Sequence, residues 1–213
     1  LAPEPLPDAQ RQHLVEDEGA HRREVDALFL RVAHADFARQ HGPALLDVAS
    51  LEAKALGAEV MVLGIAPPGG LIPESWYPTI DEAVAKGLSI INGLHDLVGP
   101  RYPKLPTGQW IWDIRIEPPG LGVATAQAAK LQNRRVLLIG TDMAIGKMTA
   151  GLEIQKLAQS RGVRCEFVAT GQIGITITGT GVPLDAIRVD FAAGAIEREV
   201  LRFADAEVVL IEG

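Results

Sequence analysis

A chain of 213 residues, 47% of them hydrophobic, is long enough to bury one large core or two small ones. Its net charge of −7, with basic residues scattered and outnumbered, excludes the electropositive face of a nucleic-acid protein, and its single cysteine, Cys165, excludes an intrachain disulfide or a cysteine-built metal site. No apolar run approaches the ~18 residues of a membrane span, and the opening "LAPEPLPDAQRQHLVEDEG" lacks a charged-then-apolar leader, so a cytoplasmic protein with neither nucleic acid nor membrane as partner is expected.

Residues 1–8 are proline-rich, and the apolar spacing over 16–40 follows a helical period until "HGP" at 41–43 stops it. A short helix over 47–56 ends at Gly57. "EVMVLGIA" (59–66) reads as a buried strand closed by "PPGG". "TIDEAVAKG" (79–87) reads as a helix with Thr79 as N-cap, and "LSIING" (88–93) as the next strand. Strand, loop, helix and strand in that order are the grammar of a parallel sheet. Gly64–Gly70 and Gly93–Asp96 are therefore expected at one edge of one sheet. "WIWDIRI" (110–116) alternates like a strand, with Trp110 and Trp112 on one face, and "EPPG" at 117–120 marks a domain boundary before a small-residue helical linker over 123–132.

The second half repeats the grammar. A strand over 134–140 is followed by a glycine turn, a helix from Lys147 to Gly162 and a strand over 163–170 on which Cys165 faces inward. A glycine- and threonine-rich loop over 171–185, a helix over 190–204 and a last strand over 206–213 complete it. The chain opens without Met and closes on a strand running into a loop, which points to a piece of a longer protein.

The turn "GTDMAIGKMT" (140–149) carries the chemistry. Gly140, Gly146 and Lys147 have the spacing of a phosphate-binding loop, G-x-x-x-x-G-K, between an apolar strand and an amphipathic helix. The backbone N–H groups of residues 142–149, from Asp142 onward and next to Thr141, are expected to converge on one concavity, with the positive end of the helix behind them. Lys147 supplies the point charge, and Thr149 a hydroxyl for an inner phosphate. Met148 occupies the position where a magnesium-binding hydroxyl usually sits, and a thioether is too soft for that ion. The turn is thus suited to phosphates and poorly equipped for Mg–NTP hydrolysis, unless Asp142 or Glu212 holds the metal.

"GTDMAIGKMTAGLEI", "TGQIGI", "DFAAGAIE" and "VVLIEG", with "VLGIAPPGG" and "GLSIINGLHDLV" before them, resemble the DgcN-type D-glutamate N-acetyltransferases, P-loop proteins long catalogued as a domain of unknown function with an N-terminal Rossmann-like domain. The resemblance spans roughly residues 50–213 and leaves out the helical first fifty. It implies an α/β chain with a parallel-sheet Rossmann-like domain over 1–120, atypical over 1–50, then a P-loop NTPase-like domain over 121–213 cut short at its C-terminal end. It further implies acetyl transfer from acetyl-CoA to a D-amino acid such as D-glutamate, with the P-loop holding the cofactor's phosphates and no metal. The turn also resembles that of dethiobiotin synthetase, which has a hydroxyl in place of Met148. An ATP-dependent ligase or kinase using Mg²⁺ therefore stays open, as does a non-catalytic nucleotide-binding module.

Thr170, Gly171 and Gln172 follow a strand and should lie at the sheet's ligand-binding edge. Asp190 precedes a helix, either as its N-cap or as an amine ligand or base, and Glu212, ending a strand where P-loop proteins carry an acid near the metal or attacking group, is the other catalytic candidate for the base. His95, beside Asp96 at a strand end in the first half, is a further substrate-binding candidate, and a homo-oligomer is the expected assembly.

Overall fold

The computed structural model describes Lys54 and residues 57–65, 67–142 and 144–213. The helix expected over 16–40 lies outside these residues, as does that over 47–56 except for Lys54. The chain divides between Asp113 and Ile114 into two compact units.

In the N-terminal unit, β1 (Val60–Leu63), β2 (Ser89–Asn92) and β3 (Ile111–Asp113) form a parallel sheet in that order. Every residue of β2, the central strand, is buried, which is why it reads as an unbroken apolar run rather than an alternation. Helix α1 (Tyr77–Ala85) buries Ile80 and Ala83 in a core with Leu63, Leu88, Ile90, Leu94 and Val98. Thr79 is not its N-cap: the helix begins two residues earlier, and Thr79 is buried within it. The physical reason is Pro78, which fits a first helical turn where its missing N–H costs nothing. Asp81 of α1 is gripped by the Arg101 fork at 2.8 and 2.7 Å and by the Tyr102 hydroxyl. Those bonds hold its carboxyl down at about 2, while burial and then Asp81 push the Tyr102 phenol up to about 12.

Strand β3 stops at Asp113, short of the expected 116, because the buried Asp113 carboxylate turns the chain into a polar knot. Its Oδ1 accepts from Asn92 Nδ2 at 2.7 Å and from the Val98 N–H at 2.9 Å, and its Oδ2 from the Gly99 N–H at 2.8 Å. Asn92 in turn accepts the Leu94 N–H and donates to the Asp96 carbonyl. Buried polar groups must be paired, and these two residues close the account for three loop segments at once. Gly64–Gly70 and Gly93–Asp96 do share one edge, where the His95 N–H donates to Gly70 O at 2.9 Å and the Ile72 N–H to Asp96 Oδ2 at 2.7 Å.

In the C-terminal unit, β4 (Arg134–Leu138), β5 (Cys165–Val168) and β6 (Val208–Glu212) form a second parallel sheet in the order β4-β6-β5. Helix α2 (Lys147–Ser160) follows β4, α3 (Gln172–Thr178) follows β5, and α4 (Val189–Arg202) leads into β6. Gly151 lets α2 lie close on the sheet: a Cβ there would meet the Phe167 ring at 2.5 Å and overlap Leu138 Cδ1. Cys165 is buried, and that burial raises its thiol above the usual range. As an edge strand, β4 leaves Val136 and Leu137, on opposite faces, 43% and 57% exposed.

Two expected elements differ. The linker over 123–132 is not a helix: only Ala128–Lys130 form a 3-10 turn, and Ala126 takes φ 59°. The Glu197 carboxylate on α4 accepts the N–H groups of Thr125 and Ala128, which ties the segment at the start of that short turn and lowers the acid's pKa through those backbone bonds. The glycine- and threonine-rich stretch is not a loop throughout, since Gln172–Thr178 coil into α3. Thr176 and Thr178 turn their hydroxyls onto the carbonyls of Gln172 and Gly174 one turn back, so the helix hides polar groups that composition assigns to a loop. No helix among the described residues is long and apolar enough to cross a membrane.

Candidate functional site

Gly140, Thr141, Asp142, Gly146, Lys147, Met148 and Thr149 come together in the single turn that joins β4 to α2. Gly146 is the N-cap of α2 with φ 94°, and Ala144 also lies in the left-handed region at 55°. Alternation of this kind turns successive N–H groups toward one side, the arrangement of an anion nest. Lys147, Met148 and Thr149 are the first three residues of the helix, so their N–H groups have no intrahelical acceptor. The positive end of a 14-residue helix adds to them. Holding Ala144 left-handed costs about 1 kcal/mol or more, strain of the sort kept where a loop has a task.

Two contacts fix the lysine. Its Nζ donates to Asp142 O at 2.8 Å, across the turn. Its stem passes over Gly140, where a Cβ would come within 2.9 Å of Lys147 Cδ and overlap Ile145 Cδ1. Gly140 is thus required for close approach rather than for an unusual φ. Met148 lies at the second helical position, half-buried, and brings no oxygen to the turn. No cluster of three metal-ligating side chains occurs among the described residues.

Glu212 closes β6 directly beside the turn, in register with Leu138, the last residue of β4. Its Oε2 accepts the N–H of Thr170 at 2.9 Å and of Gly171 at 3.2 Å, and its carbonyl accepts the Thr170 hydroxyl at 3.2 Å. Gly171 is the N-cap of α3 and Gln172 its first residue. The structure therefore brings Glu212, Thr170, Gly171 and Gln172 to one sheet edge, the C-terminal edge where open α/β sheets take ligands.

Asp190 is not an N-cap. It stands exposed in the first turn of α4, whose N-cap position is held by Arg188. The segment before α4 runs beside the end of β5, with the Val182 N–H on Ala169 O and the Leu184 N–H on Thr170 O. Arg188 forks onto Glu117 and stacks on Phe191, and its grip lowers the Glu117 pKa. His95 lies in the N-terminal unit, its exposed ring against Gly70, where a Cβ would stand 2.6 Å from Cδ2.

A β-strand, a glycine turn with a buttressed lysine and a helix N-terminus are the parts of a P-loop, and the comparison with known proteins agrees. Residues 122–213 match the P-loop domain of DUF1611, a domain of unknown function, and residues 31–117 match its Rossmann-like N-terminal domain. The chain belongs to the DUF1611 family. A curated relative, D-glutamate N-acetyltransferase of Tritonibacter scottomollicae, is 39% identical over 174 residues, covering 79% of this chain and 51% of that protein. A second protein of that name, from a Pseudoalteromonas species, is 38% identical over 150 residues, 68% of this chain and 45% of its own. A crystal structure of a DUF1611 protein from Anabaena variabilis superposes with a TM-score of 0.73 at 46% identity, over 77% of this chain and 49% of that one. The chain spans about half the length of these relatives.

Sequence reasoning passed over the Asn92–Asp113 knot, the Glu117–Arg188 fork and the Glu197 anchor. An Asn before a glycine at a strand end and an acid inside a proline–glycine stretch were the available signals, but each names a partner only once the chain has folded.

Proposed function

We propose that this DUF1611 chain forms part of an acetyl-CoA-dependent N-acetyltransferase acting on the amine of a D-amino acid such as D-glutamate, with the turn at 140–149 holding the cofactor's phosphates. The observation that carries the reading is the 38–39% identity to two proteins named D-glutamate N-acetyltransferase. The chemistry of the turn supports it. Its donors are N–H groups, one ammonium and the Thr149 hydroxyl, all suited to the pyrophosphate of coenzyme A, and Met148 offers no oxygen for the magnesium that a nucleoside triphosphate brings.

In the proposed reaction the substrate amine attacks the thioester carbonyl, the C–S bond breaks and coenzyme A leaves as the thiol. A base takes the proton that the ammonium must lose, and donors steady the oxyanion. Asp190, exposed at the start of α4, is the carboxylate we assign to the proton. Phosphate binding falls to Lys147 and the N–H groups of α2's first turn.

Isothermal titration with acetyl-CoA, ATP and GTP, each with and without Mg²⁺, tests the reading. Acetyl-CoA should bind without the metal, and Lys147→Ala should weaken it by roughly 2–3 kcal/mol, the scale of a charge-assisted hydrogen bond. Met148→Thr should raise the Mg²⁺ dependence of ATP binding and leave acetyl-CoA binding as it was. Tight ATP binding only with Mg²⁺, and none of acetyl-CoA, overturns the proposal in favour of an ATP-dependent ligase or kinase.

A further inference from the structure

The acid at the end of β6 is placed for a different task from proton transfer. Glu212 Oε2 faces the protein backbone: it accepts two consecutive N–H groups, Thr170 at 2.9 Å and Gly171 at 3.2 Å. Gly174, one turn into α3, leaves just enough room for that oxygen, since a Cβ there would stand 2.9 Å from it. The Thr170 hydroxyl closes the arrangement on the Glu212 carbonyl. These bonds join the ends of β5 and β6 and fix the Thr170–Gly171 turn from which α3, a helix with no side-chain cap, starts. A seven-residue helix built from Gln, Gly, Ile and Thr has little tendency to form alone. Its start is therefore set by an acid 41 residues further along the chain. Gln172, the first residue of that helix, is half-buried, and its side-chain amide makes no hydrogen bond among the described residues.

We infer that Glu212 is a positioning residue, whose carboxylate anchors the Thr170–Gly171 turn so that α3 starts, and Gln172 is presented, at the ligand edge beside the P-loop. This assignment rests on the proposed acetyl transfer only for its functional consequence. The anchoring itself is a property of the fold.

The two roles predict opposite orders for two conservative variants. Glu212→Gln keeps the side-chain length and an oxygen to accept both N–H groups but cannot take a proton. Glu212→Asp keeps the charge and basicity but withdraws the carboxylate by one methylene, out of reach of the turn. As a positioning residue Glu212 tolerates Gln better than Asp; as a base it tolerates Asp better than Gln. The experiment measures amide hydrogen exchange at Thr170 and Gly171, the affinity for acetyl-CoA, and kcat and KM for D-glutamate in the native chain and both variants. Glu212→Gln is expected to keep the protection of both amides within about threefold and kcat within about fivefold. Glu212→Asp is expected to speed exchange at both amides ~10-fold or more and to raise KM for the amine. Two results overturn the inference: kcat lost ~100-fold in Glu212→Gln with the amides still protected, or unchanged exchange in Glu212→Asp. The exchange measurement stands whichever reaction the site performs, so absence of acetyl transfer in the native chain counts against the proposed function and leaves the anchor to be judged by the amides.

Discussion

Replacing Gly140 with Ala should separate ligand binding from folding. The added Cβ would stand 2.9 Å from Lys147 Cδ and overlap Ile145 Cδ1. Gly140 has no positive φ, so its backbone accepts alanine without strain, and Ile145, 52% exposed, can swing its terminal methyl aside. Lys147 has less freedom, because the crowded atom lies in the middle of a stem that must bring Nζ to the cradle. Stability should therefore change by no more than about 0.5 kcal/mol, the range of a surface substitution. Affinity should fall by up to the whole lysine contribution, about 2–3 kcal/mol, or roughly 30- to 150-fold in Kd. Titration with acetyl-CoA reads the affinity, and thermal unfolding followed by circular dichroism reads the stability. An unchanged Kd would refute the reasoning, since the lysine would then reach its ligand by another path or take no part. A stability loss above ~2 kcal/mol with binding intact would refute it equally.

Gly151→Ala is expected to act on the fold instead. Alanine in mid-helix gains about 1 kcal/mol in propensity, but its Cβ would meet the buried Phe167 ring at 2.5 Å, and overpacking of that kind costs about 1–3 kcal/mol. A net loss of stability, seen as faster amide exchange in α2, is the expected outcome, and a stabilised variant would contradict the packing. The N-terminal unit should lose stability in acid through Asp81. Its folded pKa, about 2, lies below the usual 3.8, so its contribution is complete above about pH 4 and disappears as pH falls toward 2. Tyr102 works in the opposite range: its phenol is raised from 10.0 to about 12, so its share is present below pH 10 and lost as pH rises through 12. The three tryptophans, Trp76, Trp110 and Trp112, all lie in this unit, so denaturant unfolding followed by their fluorescence isolates it, and Asp81→Asn should flatten the acid limb. An unaltered limb would place the acid-sensitive group elsewhere.

Much of this protein is written in local pattern. Apolar runs bounded by glycine and proline mark the strands, and the six that were expected are the six observed among the described residues, though β3 ends early at Asp113. The turn at 140–149 is legible because its glycines and lysine act through backbone shape, which depends on spacing alone. Tertiary structure decided the elements whose own propensity is weak or misleading. Residues 123–132 are rich in alanine and favour a helix by a few tenths of a kcal/mol each, yet with the Glu197 carboxylate on the N–H groups of Thr125 and Ala128 they form only one short 3-10 turn. Gln172–Thr178 disfavour a helix, yet form one under the carboxylate of Glu212. In both places a charged acceptor from a distant strand or helix, bonded to backbone N–H groups, outweighs the local preferences that oppose it. Its partner is a backbone N–H, which every residue but proline carries, so no side-chain pattern in the sequence announces where that acceptor will land.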